Sequence, residues 1–281
     1  MARLTDLLRR NRAAAAGGLI VSLAVVVSLA GPLLAPHDPN EPFTARTLTS
    51  VGLPIAPDAE FPLGADGVGR CELSRLLYGG RVSLAVAVAA TLLVTLLGTL
   101  VGVTAGYAGG LVDTALMRLV DTLLSFPFLL VVMALNQAVA SPGIWVLFVI
   151  LGLFGWVGMS RQVRAKTMQI RQREFVTAAH ALGASTPRII VRHVLPNVAP
   201  LVLVIATTVV SQMIIVESSL SFLGVGLTPP SSSWGSMLRD AAPLIRTAPR
   251  LSLIPGVAIL LTVVGFNLLG DGLRDALDPK S

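Results

Sequence analysis

Long stretches without a charged residue constrain the fold of this 281-residue chain more than any other feature. Charged side chains are absent from residues 13–36, 82–112 and 122–160. Crossing the hydrocarbon core of a bilayer takes about 20 apolar helical residues. With 54% hydrophobic and 13% charged residues, the chain carries more apolar surface than one globular core can bury. We therefore predict an all-α integral membrane protein.

The uncharged runs and two later apolar stretches divide into six predicted transmembrane helices. The run 122–160 is too long for one helix, so we divide it at its two polar interruptions, Asn136-Gln137 and Ser141-Pro142-Gly143. This division puts Asp121 in the first turns of the third helix, where Arg118 is predicted to pair with it. The predicted spans are 13–35, a second within 82–112 that leaves room for its exit loop, 116–135, 143–160, 198–222 and the stretch between Arg250 and Asp271.

The first run has an alternative interpretation as a cleaved secretory signal, with Ser28-Leu29-Ala30 as a weak cleavage site. Its apolar stretch is long for a signal peptide, and more spans follow it. We therefore interpret residues 13–35 as a transmembrane helix.

The distribution of basic residues predicts the orientation of the chain. Four lie in residues 1–12 and seven in residues 161–192, and short cytoplasmic loops carry an excess of Lys and Arg. Both clusters are predicted to be cytoplasmic, although three arginines between the last two spans do not follow the rule. The predicted layout is a cytoplasmic tail (1–12), a first span (13–35), an extracytoplasmic segment (36–80), a transmembrane domain (81–271) with a cytoplasmic loop (161–197), and a cytoplasmic tail (272–281).

Three glycines in the second span, Gly98, Gly102 and Gly106, repeat at intervals of four residues. Small residues on one helical face let two transmembrane helices approach closely. General enrichment of glycine in membrane helices is the alternative explanation. Both explanations predict packed helices.

The loop 161–197 contains a short predicted helix near residues 174–182. Phe175, Ala178, Ala179 and Leu182 recur at helical spacing and form one narrow, mostly small face. An acidic residue in the first turn and a glycine at position 183 suit the two ends of a helix, and Thr186-Pro187 is typical of the start of the next one. A small-residue face predicts docking with another protein.

This loop resembles the EAA signature of ABC importer permeases. The matching residues are Thr177-Ala178-Ala179, Gly183 and Leu195-Pro196, with Thr177 where the motif's first Glu stands and His193 where Ile is common. The chain resembles the dipeptide and oligopeptide branch, second-permease type, in several further segments. These are Arg173-Glu174-Phe175, Arg192–Asn197, Leu63–Asp66, Leu73–Gly79, Glu217–Gly224, Trp234-Gly235 and Asn267–Pro279.

The resemblance implies a type I ABC importer permease fold of six helices and one half of a translocation pore. It also implies docking of the short helix into an ATPase subunit, through Glu174, Phe175, Thr177, Ala178, Ala179, Leu182, Gly183 and Pro196. The implied partners are a homologous second permease, two ATPase subunits and an extracytoplasmic substrate-binding protein that delivers dipeptides or oligopeptides. Nickel or another small solute is the alternative cargo, and a secondary transporter is the alternative class.

Glu217, beside Ser218, is the acid that we place deep in a predicted span. A carboxylate in a membrane is costly unless it is paired or faces water. The two residues are therefore candidates for a pore or gate. The alternative is a structural role, with the carboxylate held by neighbouring serines or reaching the interface.

No enzymatic or metal site is predicted. The single cysteine, Cys71, excludes an intramolecular disulfide and a Cys-rich metal site. The three histidines form no His-x-x-x-His pair, and neither lysine follows a glycine as in a phosphate-binding loop. We expect no catalytic residue and no cofactor, so ATP would be hydrolysed by another polypeptide.

Overall fold

The computed structural model describes residues 12–139, 143–226 and 231–277, which are mostly helical apart from the irregular segment 35–71 and contain no strand pairing beyond isolated bridges. The predicted N-terminal tail lies outside the described residues except for Arg12, and residues 272–277 of the predicted C-terminal tail belong to the last helix. The main helices are α1 (Arg12–Leu29), α2 (Glu72–Ala108), α3 (Gly110–Leu124), α4 (Phe128–Ala138), α5 (Ile144–Gly155), α6 (Val157–Arg171), α7 (Glu174–Ala181), α8 (Leu195–Phe222), α9 (Trp234–Ala241) and α10 (Arg250–Leu277).

The predicted all-helical membrane fold is confirmed. Four spans, at α1, α2, α8 and α10, are long and apolar enough to cross a bilayer. Two more arise if the bent pairs α3–α4 and α5–α6 each count as one span. The described part of the chain therefore has between four and six candidate spans.

The third span differs most from its prediction, because the stretch 116–135 is not a straight helix. α3 and α4 meet at an angle of 81°, and Pro127 precedes the first residue of α4. A proline pushes the residue before it away from helical geometry, which breaks the run here. The predicted Arg118–Asp121 pair is also wrong, since Asp121 pairs with Arg161 of α6 instead.

Several helices extend beyond their predicted ends. α2 begins at Glu72 and α6 continues to Arg171. Charged residues limit the stretch that can lie in the membrane, but the helix itself continues through them. Ahead of α8, a helical turn at Thr186–Ile189 and a wider π-helical turn at Ile190–Val194 precede Pro196. A proline ring clashes with the carbonyl four residues earlier, and the wide turn relieves that clash.

The close helix approach predicted from the glycine repeat is confirmed. α2 packs along α6, and a Cβ added at Gly102 would lie 2.7 Å from the carbonyl oxygen of Ser160. The same addition at Gly106 would lie 2.6 Å from the carbonyl oxygen of Arg164. α2 also packs against α5 and α8, so it forms the centre of the bundle, while α1 lies along α10.

We expect Gly102→Ala to destabilise the protein by about 1–3 kcal/mol, because the added methyl group overpacks the α2–α6 contact. Thermal unfolding in detergent measures the effect. The matched control is Gly256→Ala in α10, where an added Cβ meets no described atom within 4 Å. That control should be neutral or slightly stabilising, since alanine favours a helix over glycine. Equal unfolding temperatures for the two variants would contradict the packing argument.

Candidate functional site: a docking helix and a polar groove

The short helix α7 has the ends that its sequence predicts. Glu174 occupies the first turn, and Gly183 adopts a positive φ of 75° just beyond the last turn. The Gly183 N–H donates to the His180 carbonyl at 2.9 Å, and the Ala184 N–H donates to the Ala179 carbonyl at 3.0 Å. This pair of bonds is a Schellman motif, which needs a left-handed residue at the glycine. The local sequence therefore determines where α7 stops.

One face of α7 presents apolar side chains to its surroundings. Phe175 is 43% exposed and Leu182 is 88% exposed, and Ala178 lies exposed between them. An exposed leucine and an exposed phenylalanine on the same side of a helix are typical of a surface that another protein covers. We call Phe175, Ala178 and Leu182 the docking face.

Ala179 does not lie on the docking face as predicted. It is 9% exposed and, together with Val176, belongs to the main apolar core cluster. Each residue turns the helix by about 100°, so Ala179 lies at the edge of the predicted stripe, and packing of α7 on α6 and on the turn at Thr186–Ile189 decides which side is buried. Sequence reasoning did not identify Val176 as the second inward residue.

The remaining predicted coupling residues lie close to this face or beyond it. Glu174 and Thr177 are exposed on α7, and Gly183 is exposed just beyond its end. Pro196 is exposed in the first turn of α8 and is not part of α7. The predicted residues from Glu174 to Gly183 thus lie on α7 and its C-terminal turn, and Pro196 lies on α8.

A groove with a volume of about 830 Å³ lies between α6, α8 and the end of α10, and apolar residues such as Met159, Leu201 and Val209 form much of its lining. We call it the polar groove because six polar side chains also line it. Five of them are exposed and Lys166 is half-buried; the exposed ones are Gln162, Asn197, Thr208, Gln212 and Arg274. Other exposed side chains of α8 are apolar, such as Leu203 and Ile215. An exposed glutamine in the middle of a membrane helix is costly against lipid, so this side of α8 suits water or a partner. Gln212, a polar residue within an apolar span, is the sequence signal for this groove.

Glu217 and Ser218 are both buried and do not line this groove. The Glu217 carboxylate accepts hydrogen bonds from the hydroxyls of Ser83 at 2.9 Å, Ser221 at 2.8 Å and Ser218 at 3.4 Å. Ser83 in turn accepts the backbone N–H of Trp234 at 3.2 Å. The carboxylate therefore joins α2, α8 and the start of α9, which agrees with the structural alternative.

An ion-pair network connects the segment before α2 to α9. Arg70 Nε lies 2.7 Å from Asp66 Oδ2, and Arg75 Nη2 lies 3.3 Å from Asp240 Oδ2. Arg75 also lies 3.4 Å from Asp66, and Arg70 lies 3.3 Å from Asp240. Asp66, Arg70 and Arg75 lie close together in the sequence, and the distant Asp240 joins them only through the fold.

Comparison with known proteins agrees with these features. Residues 98–281 match the family described as binding-protein-dependent transport system inner membrane component. The chain belongs to this family. Residues 6–50 match a second family, described as the N-terminal TM domain of oligopeptide transport permease C. Membership makes the chain a transport-system subunit of the membrane and not an enzyme.

Several relatives resemble nearly the whole chain. The dipeptide transport system permease protein DppC of Bacillus subtilis is 42% identical over 274 residues, which is 97% of this chain and 83% of the relative. The oligopeptide transport system permease protein OppC of Escherichia coli K12 is 43% identical over 272 residues, covering 96% and 88%. The OppC protein of Haemophilus influenzae is 38% identical over 273 residues, covering 96% and 86%. The recognition of the peptide-permease branch from sequence motifs is confirmed.

Proposed function

We propose that this chain is a permease subunit of an ATP-driven importer and forms half of the translocation pore for dipeptides or oligopeptides. The observation that carries the proposal is the groove between α6 and α8, whose lining includes the exposed Gln212 in an otherwise apolar span. The relatives' names, DppC and OppC, supply the class of cargo. A homologous second permease would cover the groove and complete a hydrated passage.

The docking face supplies the connection to the energy source. Phe175, Ala178 and Leu182 would enter a groove of an ATPase subunit, and a second ATPase would engage the partner permease. ATP-driven closure of the two ATPases would bring the docking helices together and switch the packed helices between two arrangements. Glu174, Thr177, Gly183 and Pro196 border this surface and would support the same contact.

The proposed orientation places the α7 end in the cytoplasm of a bacterium and the segment 36–71 outside. Basic side chains at Arg161, Arg164, Arg171 and Arg173 lie at the α7 end, which favours this orientation by the positive-inside rule. A substrate-binding protein would then release cargo at the opposite end, beside α9. Both chain termini would be cytoplasmic.

Reconstitution tests the transport class directly. The chain, a homologous permease, two ATPases and a binding protein are assembled in proteoliposomes, and labelled peptide uptake is measured with and without ATP. Uptake is expected to require ATP hydrolysis and the loaded binding protein. Uptake by this chain in the absence of any ATPase would contradict the proposal.

Cysteine accessibility tests the pore-facing side of α8. In a Cys71→Ser background, Gln212→Cys in the assembled importer is expected to react with a small water-soluble thiol reagent, because the groove would hold water. Ile215→Cys is the matched control, since Ile215 is exposed on the same helix but lies outside the groove. We expect at least tenfold faster labelling at position 212. Equal labelling rates at the two positions would show that this side of α8 does not face the water-filled passage.

A further inference from the structure

α7 is attached to the rest of the protein by side chains that do not belong to its docking face. Val176 and Ala179 pack into the apolar core cluster, and His180 reaches α2. The Nε2 atom of His180 lies 2.8 Å from the hydroxyl oxygen of Tyr107, near the last residue of α2. The two rings are nearly parallel, with an interplanar angle of 15° and centroids 6.4 Å apart.

A third side chain restrains the same contact. The guanidinium carbon of Arg171, the last residue of α6, lies 5.8 Å from the centroid of the Tyr107 ring. This distance is within the range in which a cation is attracted by the face of an aromatic ring. Tyr107 is itself buried, so its ring is held between α6 and α7 while its hydroxyl bonds to His180.

α2 extends from this contact to the opposite end of the protein. Its 37 residues correspond to a length of about 55 Å at 1.5 Å per residue. Near its other end, Ser83 bonds to Glu217 and accepts the N–H of Trp234, and Arg75 pairs with Asp240 of α9. One continuous helix therefore contacts both the docking helix and the elements that surround α9.

We propose that Tyr107 and His180 form the mechanical link between the docking helix and α2. A displacement of α7 by the ATPases would pass through this hydrogen bond to α2 and so to α9, at the end where cargo enters. The proposal rests on the proposed function and adds the residues that connect the ATPase contact to the far end. Tyr107 and His180 are positioning residues, because neither lies on the docking face or in the polar groove.

Tyr107→Phe removes the hydroxyl and keeps the buried ring. In the complete reconstituted importer, the number of peptides taken up per ATP hydrolysed is expected to fall about fivefold, since one net hydrogen bond contributes on the order of that factor to an equilibrium. Assembly and peptide-independent ATP hydrolysis should stay unchanged. The control is Tyr78→Phe, which alters the other tyrosine of the chain and should leave the ratio at its wild-type value.

A double-mutant cycle separates this role from simple packing. His180→Ala should lower the number of peptides taken up per ATP hydrolysed as much as Tyr107→Phe does. The double variant should show the same ratio as either single variant, because both substitutions remove the same interaction. His180→Gln retains a hydrogen-bonding side chain and should restore part of the ratio. A wild-type ratio for Tyr107→Phe, or losses that add in the double variant, would overturn the link.

Cross-linking distinguishes failure of the link from failure of the docking proposal. Leu182→Cys, in the Cys71→Ser background, is paired with a cysteine in the groove of the ATPase. Cross-linking is measured in the importer with Tyr107 and in the Tyr107→Phe importer. If both cross-link and Tyr107→Phe still takes up the wild-type number of peptides per ATP, the link is refuted but the docking face is not. Absence of cross-linking with Tyr107 intact would refute the docking face and the link with it.

Discussion

Leu182→Glu is expected to abolish peptide uptake while the chain still inserts into the membrane. Leu182 is 88% exposed on the docking face, and burying a leucine in a partner contributes about 1.5–3 kcal/mol. An unpaired carboxylate in the same apolar contact adds a desolvation cost. Docking should weaken at least 100-fold, so peptide-stimulated ATP hydrolysis should fall to the basal rate. Uptake and ATPase assays in proteoliposomes measure both losses.

The matched control is Leu111→Glu. Leu111 is 89% exposed and lies in the first turn of α3, so it is not part of the docking face. The same change of side chain there should leave stimulated ATP hydrolysis within about twofold of wild type, as surface substitutions usually cost little. Normal uptake by the Leu182→Glu importer would contradict the assignment of the docking face.

Two other variants of the α7 segment differ in their expected effects. Gly183→Pro is incompatible with the φ of 75° and removes the N–H that bonds to His180, so it should disorder the end of α7 and uncouple transport. A bulky charge at Ala179 would enter the core cluster instead of the docking face. It should therefore destabilise the packing of α7, and Leu182→Glu is the cleaner test of docking.

Glu217→Leu is expected to destabilise the protein by about 2–4 kcal/mol. The carboxylate accepts hydrogen bonds from Ser83 and Ser221 in a fully buried site, and each buried hydroxyl left without a partner costs about 1–3 kcal/mol. The contacts that join α2, α8 and α9 would weaken together. Thermal unfolding of the purified chain in detergent measures the loss.

Two further variants make this test specific. Glu217→Gln keeps a hydrogen-bond acceptor at the same place and should cost less than Glu217→Leu. Ser219→Ala serves as the control, because the Ser219 hydroxyl bonds to the Ile215 carbonyl within α8 and should contribute little. If Glu217→Leu unfolds at the same temperature as Ser219→Ala, the carboxylate does not join these helices.

Local features of the sequence were sufficient for several parts of the fold. The spacing of Gly98, Gly102 and Gly106 predicted a close helix contact, because a missing side chain permits close approach whichever helix is the neighbour. Gly183 predicted the end of α7, because a left-handed residue closes a helix through bonds to its own last turn. Uncharged length predicted the membrane spans, since the cost of burying charge in lipid depends on the residue itself.

Tertiary packing decided the rest. Ala179 is buried, and Asp121 pairs with Arg161 instead of Arg118. Two arginines each pair with both Asp66 and Asp240. These outcomes depend on which distant helices become neighbours, and that choice is a sum over many contacts that no short segment contains. The amino-acid sequence alone therefore indicated the family, the spans and the docking helix. Which side of that helix is free, and which distant charges pair, followed only from how the helices pack.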